Sequence, residues 1–232
     1  MAHGLFRPPH VRVRPDRVLK VHRYPDPAAV RPEIRAAAEK WSARAVELMQ
    51  PEIYYRRLPV QCCAGDTLTI ADGPSFLCGA FDRYLGGSVE VVVFILSTGM
   101  ALDEEVRARI DDFDLLEALF LETSGWLGIE STTAAFARHL RAEVALEGLA
   151  ITSRMGPGYT YKVDGEQVSW PLEEQKPLFE LLADVNPPVE LLESCAMMPK
   201  LSRSGLYGLV PVNENAQDQM RLRDPADATS ER

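Results

Sequence analysis

The chain has 232 residues, 46% of them hydrophobic and 25% charged, which is typical of a soluble globular protein with one large or two small domains. Its formal net charge of −9 argues against nucleic-acid binding, because a nucleic-acid interface needs a basic face. The longest uninterrupted apolar run, residues 91–96, is too short to span a bilayer, and no secretory signal is visible. We therefore expect a cytoplasmic protein without membrane or nucleic-acid partners.

Residues 1–25 are predicted to form a basic N-terminal arm. Within residues 7–23 a single acid, Asp16, stands against these basic side chains: Arg7, Arg12, Arg14, Arg17, Lys20 and Arg23. Such a charge run is typical of a solvated, partly disordered segment. The alternative is a docking arm for an acidic protein partner.

A globular domain is predicted for residues 26–211. A helix is expected at residues 31–49, where apolar side chains recur at helical spacing: Ile34, Ala38, Trp41, Ala45 and Leu48. Strands are expected at residues 52–58, 67–71 and 76–81. The continuous β-branched run at residues 89–97 is typical of a central, buried strand.

Residues 103–148 are predicted to form two or three helices, with Gly125 and Gly128 as candidate breaks and Glu130-Ser131-Thr132 as a candidate restart. A further helix is expected at residues 172–182 and strands at 190–197 and 205–210. Residues 212–232 are polar and are predicted to be a disordered tail. Because the strands surround helices without βαβ alternation, the pattern indicates an α+β fold.

The four cysteines, Cys62, Cys63, Cys78 and Cys195, contain no CxxC pair. In a cytoplasmic protein we expect them to be reduced, buried thiols. The histidines are also scattered, so the sequence predicts no metal site.

Residues 154–159 read Arg-Met-Gly-Pro-Gly-Tyr, and they are the most informative stretch. Gly156 and Gly158 have no Cβ, so a ligand can lie directly against the backbone. Arg154 offers a planar fork suited to a carboxylate, and Tyr159 can cover a bound molecule with its ring. Taken alone, the same stretch is also typical of a tight turn.

Further motifs follow this loop in a fixed order: Leu192-Glu193-Ser194-Cys195-Ala196-Met197-Met198-Pro199-Lys200 and Ser204-Gly205-Leu206-Tyr207. Weaker ones precede it: Gly79-Ala80-Phe81, Ser97-Thr98-Gly99, Asp111-Asp112-Phe113 and Phe136-Ala137-Arg138-His139-Leu140. Together they resemble the reactivation domain of cobalamin-dependent methionine synthase over about residues 30–211. That domain has an Arg-Pro-Ala-Pro-Gly-Tyr loop, a Thr-Glu-Ser-Phe-Ala-Met-x-Pro strand and a Ser-Gly-x-Tyr strand. The chain resembles a stand-alone, single-domain relative.

The resemblance implies an antiparallel sheet wrapped by helices, and a site for S-adenosylmethionine as cofactor. Arg154 would hold its methionine carboxylate, Gly156 and Gly158 would contribute backbone contacts, and Tyr159 would lie between ligand and corrin. Glu193 and Tyr207 are possible supports of the site, as loop anchor and packing residue. The implied partners are a cobalamin-binding protein or methionine synthase modules, which would supply the cobalamin, with flavodoxin or ferredoxin as electron donor.

Four differences separate the chain from that family. Ala134 stands where the synthase has a ligand-binding glutamate, and neither the synthase's N-terminal aspartate nor its late tyrosine has a counterpart. In addition, residues 160–169 form a longer segment than the family loop. Three hypotheses therefore remain open: a methyltransferase component that reactivates a partner's corrinoid, a non-catalytic module that docks on a cobalamin protein, and an unrelated α+β protein.

Overall fold

The computed structural model describes residues 3–212. Its α-helices are α1 (Pro15–Val21), α2 (Pro32–Leu48), α3 (Phe81–Leu85), α4 (Ala101–Asp111), α5 (Leu115–Ala145) and α6 (Gln175–Glu180). Short 3-10 turns occur at Pro27–Ala29, Leu172–Glu174 and Ala183–Val185. The strands are β1 (His3–Phe6), β2 (Glu52–Ala64), β3 (Thr67–Ile70), β4 (Ser75–Leu77), β5 (Glu90–Ser97), β6 (Leu149–Ile151), β7 (Thr160–Val163), β8 (Glu166–Ser169), β9 (Glu190–Leu191), β10 (Met197–Met198) and β11 (Ser202–Pro211).

The main sheet is antiparallel and follows the order β4-β3-β2-β5-β11-β6, with β1 paired to β2. Strand β5 lies between β2 and β11, and all but one of its side chains are buried. This is the position expected for a continuous β-branched run, since both faces of a central strand are covered. The α+β class predicted from the sequence is confirmed.

Each face of the sheet carries a hydrophobic core. On one face α1, α2 and α5 pack on the sheet around Trp41, Phe94 and Phe136. On the other face Phe76, Phe81 and Trp170 form the centre of a second core, with edge-to-face contacts from both phenylalanines to the indole. Strands β5 and β11 contribute side chains to both cores, so they lie between the two cores and connect them.

Residues 103–148 contain two helices, within the predicted two or three, but the break lies at residues 112–114. Helix α5 is uninterrupted, so the predicted breaks at its glycines are wrong. A Cβ on Gly125 would lie 2.5 Å from Leu201 and 2.6 Å from Leu102, and one on Gly128 would overlap the end of Met49. These glycines permit close packing inside the helix instead of ending it. Because the helix is not interrupted at these glycines, it also does not restart near Glu130.

The basic N-terminal segment is packed, not projecting, so its prediction as a solvated arm is corrected. Strand β1 pairs with β2, and α1 buries Val18 and Leu19 completely in the core beside α2 and α5. The prediction was based on the many basic side chains and gave no weight to Val18 and Leu19, two consecutive apolar residues of a short helix that face the core. Of the predicted tail, only Val212 lies within the described residues.

Several other boundaries differ from the predictions. The expected strand at residues 76–81 ends at Leu77, and Phe81 begins α3. The expected strand at 190–197 is a hairpin in which Cys195 takes a positive φ of 62° and its N–H donates to the carbonyl of Leu192. The thiol of Cys62 is exposed and Cys63 is half-buried, so only Cys78 and Cys195 match the expected burial.

None of the helices within residues 3–212 combines the length and apolar character that crossing a membrane requires. No group of three or more His, Cys, Asp or Glu side chains in that range is arranged to hold a metal ion.

Candidate functional site

Backbone hydrogen bonds on both sides hold the 154–159 loop. Met155 exchanges two hydrogen bonds with Leu206 of β11, at 2.8 and 2.9 Å. At the other end Gly158 donates to the carbonyl of Trp170 at 2.8 Å, and Trp170 donates to that of Tyr159 at 3.0 Å. The loop is therefore pinned between the central sheet and the end of the β7–β8 hairpin.

A glycine of β11 makes room for the loop. A Cβ on Gly205 would overlap the carbonyl oxygen of Met155 and lie 3.5 Å from Nη1 of Arg154. The ideal Cβ position of Gly156 is likewise 3.1 Å from the same Nη1. Gly205 and Gly156 therefore form a cradle for the Arg154 guanidinium, which explains why the loop motif and the Ser-Gly-x-Tyr motif occur together.

Arg154 has an unsatisfied hydrogen-bonding group. Its Nη1 is buried and has no hydrogen-bond partner within residues 3–212, where no carboxylate lies within 4.0 Å of the guanidinium either. The guanidinium lies 4.4 Å from the centre of the Tyr159 ring, a cation–π contact. A buried N–H without a partner costs free energy that an anionic ligand would recover. The arrangement is chemically suited to a carboxylate.

Tyr161 of β7 holds the loop from behind. Its hydroxyl accepts a hydrogen bond from the N–H of Gly156 at 2.7 Å and donates one to the carbonyl of the same residue at 3.0 Å. Burial raises the pKa of Tyr161 to about 12, although the Gly156 contact opposes the shift. The hydroxyl therefore keeps its proton throughout the neutral range.

The sequence did not predict the β7–β8 hairpin to which Tyr161 belongs. The hairpin turns at Asp164-Gly165, where both φ angles are positive. This dipeptide between two short strands is a strong hairpin signal that could have identified it. Tyr84 of α3 anchors the hairpin by donating its hydroxyl proton to the carbonyl of Lys162 at 3.1 Å.

A cavity of about 390 Å³ opens beside Tyr159, which we call the Tyr159 cavity. It is lined by Val21, Glu122, Thr123, Trp126, Ile129, Tyr159, Lys200, Leu201, Ser202 and Arg203. Tyr159 and Trp126 are 40% and 44% exposed, so two aromatic residues are accessible from solvent there. Aromatic walls of this kind suit a planar ring.

Charged side chains of the cavity form two ion pairs. Lys200 pairs with Glu122, and the nearly buried Arg203 pairs with Glu130 and donates to the hydroxyl of Thr133 at 3.1 Å. Sequence reasoning missed Arg203 and Glu130, because 73 residues separate them and no local motif links them. Only the packing of β11 against α5 brings them together.

The remaining candidate residues lie apart from the loop or in the core. Tyr207 is buried and stacks on Phe94 with ring centroids 5.6 Å apart, so its described contacts are packing contacts. Glu193 is exposed on the turn between β9 and β10, and none of its described contacts joins it to Arg154 or Tyr159. Ala134 is exposed on α5, one helical turn after Glu130.

Comparisons with known proteins bear on the fold. No protein-family model and no curated protein matches the sequence. Among solved structures the chain is similar to the MetH reactivation domain, in its crystal structure bound to AdoHcy, with a TM-score of 0.53 and 18% identity. The match covers 89% of this chain and 72% of that one. At this identity the similarity establishes the architecture: the chain has a fold like that of the MetH reactivation domain.

Proposed function

We propose that this chain is a reactivation-type domain that binds S-adenosylmethionine through its 154–159 loop and presents the methyl group to a partner's corrinoid. The observation that carries the proposal is the buried Nη1 of Arg154, which has no hydrogen-bond partner among the described residues. The fold gives independent support, because the similar MetH reactivation domain was crystallised with AdoHcy, the demethylated form of the ligand.

The carboxylate of the methionine half binds to Arg154, and the other half of the ligand extends into the Tyr159 cavity. Gly156 and Gly158 let the ligand approach the backbone, since neither has a Cβ. The exposed Tyr159 lies at the boundary, with Arg154 against its ring and the cavity beside it. In this pose Tyr159 is the group between the ligand and an approaching corrin.

For this methyl transfer, the protein has to orient the ligand more than it has to supply acid–base groups. The partner's reduced corrinoid would supply a strong nucleophile for the methyl group, and the bond broken would be the carbon–sulfur bond of the sulfonium. A neutral thioether remains, and no proton needs to move. The residues of this chain therefore contribute by holding the sulfonium in line with the acceptor and by limiting its motion.

The partner in this proposal is a cobalamin-binding protein or the other modules of a methionine synthase-type system. This assignment makes the chain one component of a methyltransferase. A reduced flavodoxin or ferredoxin would supply the electron that returns the corrinoid to its reactive state.

A second candidate function is a non-catalytic module that docks on a cobalamin protein and covers its corrin. The observation favouring it is that Ala134 has no charge and that Glu122 and Glu130 are already paired with basic side chains. A sulfonium gains affinity from nearby negative charge. A docking module has no such requirement.

Calorimetric titration with S-adenosylmethionine and AdoHcy tests the proposal. Arg154→Ala should weaken binding of either ligand by about 10- to 150-fold, as for loss of a charge-assisted contact worth roughly 1.5–3 kcal/mol. Arg44→Ala is the matched control, because Arg44 is on α2, pairs with Glu47 at 3.1 Å and does not line the cavity. Absence of saturation at millimolar ligand would refute ligand binding. Retained affinity for a cobalamin protein in that case would favour the docking module.

A further inference from the structure

The corner where α4 is followed by α5 carries an apolar surface that the proposed ligand site does not use. We infer that this surface docks a helix of another protein whose apolar face is flanked by lysine or arginine. The surface, which we call the α4–α5 corner, consists of five exposed residues: Ile110, Phe113, Leu115, Leu116 and Leu119. Single exposed apolar residues are common on protein surfaces, whereas a group of them in one ten-residue stretch is typical of an interaction site.

The α4–α5 corner is separate from the 154–159 loop. On α5, Trp126 of the Tyr159 cavity lies ten residues beyond Leu116, which is about 15 Å along the helix axis. None of the five corner residues lines that cavity. The inference is therefore independent of the ligand, and its failure would leave the proposed function untouched.

Phe113 is the most exposed residue of the corner, and its backbone conformation is unfavourable. The residue is 86% exposed and has a positive φ of 62°. It ends α4 in the position where glycine is usual, since its N–H donates to the carbonyl of Ile110 and the N–H of Asp114 donates to that of Arg109. A side chain at positive φ costs free energy relative to glycine. The chain thus places an aromatic residue in solvent at a conformational cost, which points to a partner outside the chain.

The spacing of the corner residues fits a partner helix. Leu115 and Leu116 precede Leu119 by four and three positions on α5, so they are its neighbours on the helix surface. Residues at these spacings form the ridges that pack into the grooves of another helix. The apolar ridge at the start of α5 is therefore suited to a helical partner.

The charges around the corner favour a basic partner. Residues 109–119 contain one basic side chain, Arg109, and four carboxylates: Asp111, Asp112, Asp114 and Glu117. Arg109 pairs with Asp112 and Asp114, both at 3.1 Å, and no ion pair within residues 3–212 involves Asp111 or Glu117. The carbonyl end of α4 adds partial negative charge at the same place. Lysine or arginine on the flanks of a partner helix would complement this charge.

Neither a second copy of the chain nor its own C-terminal residues fit the corner as well. A symmetric pair would bring the four carboxylates of each corner together, and this repulsion disfavours association. Val212 donates to the carbonyl of Gly148 just beyond the end of α5, whereas the corner lies at the start of this 31-residue helix, about 45 Å away. The apolar and basic stretch at residues 220–223 ends eleven residues after Val212, a span of at most about 40 Å, so it does not reach the corner of the same molecule.

A synthetic amphipathic helix of about five turns, with leucine on one face and lysine on its flanks, tests the inference. Binding of the labelled peptide to the full chain is measured by fluorescence anisotropy. We expect saturable binding, and binding at least about tenfold weaker when glutamate replaces the lysines of the peptide.

Two variants show whether the peptide binds at the corner. Phe113→Gly should weaken binding of the lysine peptide by about tenfold or more, because exposed aromatic residues contribute most to interfaces. The same substitution should raise the melting temperature by roughly 2–4 °C, because glycine adopts a positive φ without strain. Leu146→Ser is the matched control, since Leu146 is 90% exposed at the other end of α5, and the variant should bind the peptide like the wild type.

The inference is overturned if the lysine peptide does not bind saturably, or if the lysine and glutamate peptides bind equally well. Equal weakening by Phe113→Gly and Leu146→Ser would also overturn it, because any exposed apolar residue would then serve. A lower melting temperature of Phe113→Gly would show that the ring supports the fold instead of a partner. Dimerisation of the wild type in sedimentation experiments that is lost in Phe113→Gly would assign the corner to a second copy and overturn the basic-helix partner.

Discussion

Tyr161→Phe should loosen the 154–159 loop without disturbing either hydrophobic core. The substitution keeps the ring, and with it the tilted contact to Tyr84 at a centroid distance of 5.3 Å. It removes the hydroxyl that accepts from the Gly156 N–H and donates to the Gly156 carbonyl. Gly156 is buried and its N–H makes no other described hydrogen bond, so the donor would be left unsatisfied.

The expected cost follows from these two contacts. A buried, unsatisfied N–H costs about 1–3 kcal/mol, and the lost carbonyl contact adds to it, so we expect unfolding to become easier by roughly 1.5–3 kcal/mol. For a chain of this size the melting temperature should fall by roughly 3–12 °C. Because the pKa of Tyr161 is raised to about 12, the loss should be the same at every pH in the neutral range.

Thermal unfolding measures the stability, and hydrogen exchange at the Gly156 amide measures the loop directly. Tyr84→Phe is the matched control, since it removes one exposed hydrogen bond of the same hairpin, from Tyr84 to the carbonyl of Lys162. We expect the control to leave the Gly156 amide protected. Unchanged stability and unchanged Gly156 exchange in Tyr161→Phe would refute the reasoning that this hydroxyl holds the loop.

Three further predictions follow from the packing. Gly205→Ala should destabilise the protein by about 1–3 kcal/mol and weaken ligand binding, because the new Cβ would overlap the Met155 carbonyl. Gly79→Ala is the control, since its Cβ would meet only a Val168 methyl at 3.3 Å. Similar melting temperatures for the two variants would contradict this prediction. Leu19→Ala should lower the free energy of unfolding, measured with denaturant, by about 2–5 kcal/mol. Lys20→Ala, at the neighbouring exposed position, should leave it almost unchanged. Equally small effects of the two substitutions would show that the N-terminal segment is not packed. Burial lowers the pKa of His22 in the folded state, so the unfolded chain binds the proton more readily. The melting temperature should therefore decline as the pH falls below about 6.5, and His22→Gln should remove that part of the decline. Identical pH profiles for the variant and the wild type would exclude His22 as the source.

Local sequence patterns correctly predicted those elements whose structure imposes a pattern on neighbouring residues. The β-branched run at β5 and the apolar stripe of α2 were recognisable because burial of one face imposes a period on the sequence. The 154–159 loop was recognisable because a backbone without Cβ atoms is needed at a close approach, and only glycine provides it. These features depend on neighbours in sequence.

Glycine was also the source of an error, and the reason is physical. The same lack of a Cβ that ends helices allows helices to pack closely, and the sequence does not distinguish the two uses. Gly125 and Gly128 serve the second use, because Leu201 and Met49 fill the space beside α5. The N-terminal segment was misjudged in a similar way, since its charges are conspicuous and the burial of Val18 and Leu19 depends on α5.

The sequence alone determined the α+β class, the central strand and the loop with its arginine, because each of these is written in the local order of residue types. Tertiary structure decided the electrostatics of the site. Arg203 reaches Glu130 across 73 positions, and Tyr161 reaches Gly156 from a hairpin that the motifs did not indicate. The pairing of the carboxylates, and the lack of a hydrogen-bond partner for Arg154 Nη1 among the described residues, depend on distances between separate elements. Those distances exist only once the elements have packed together.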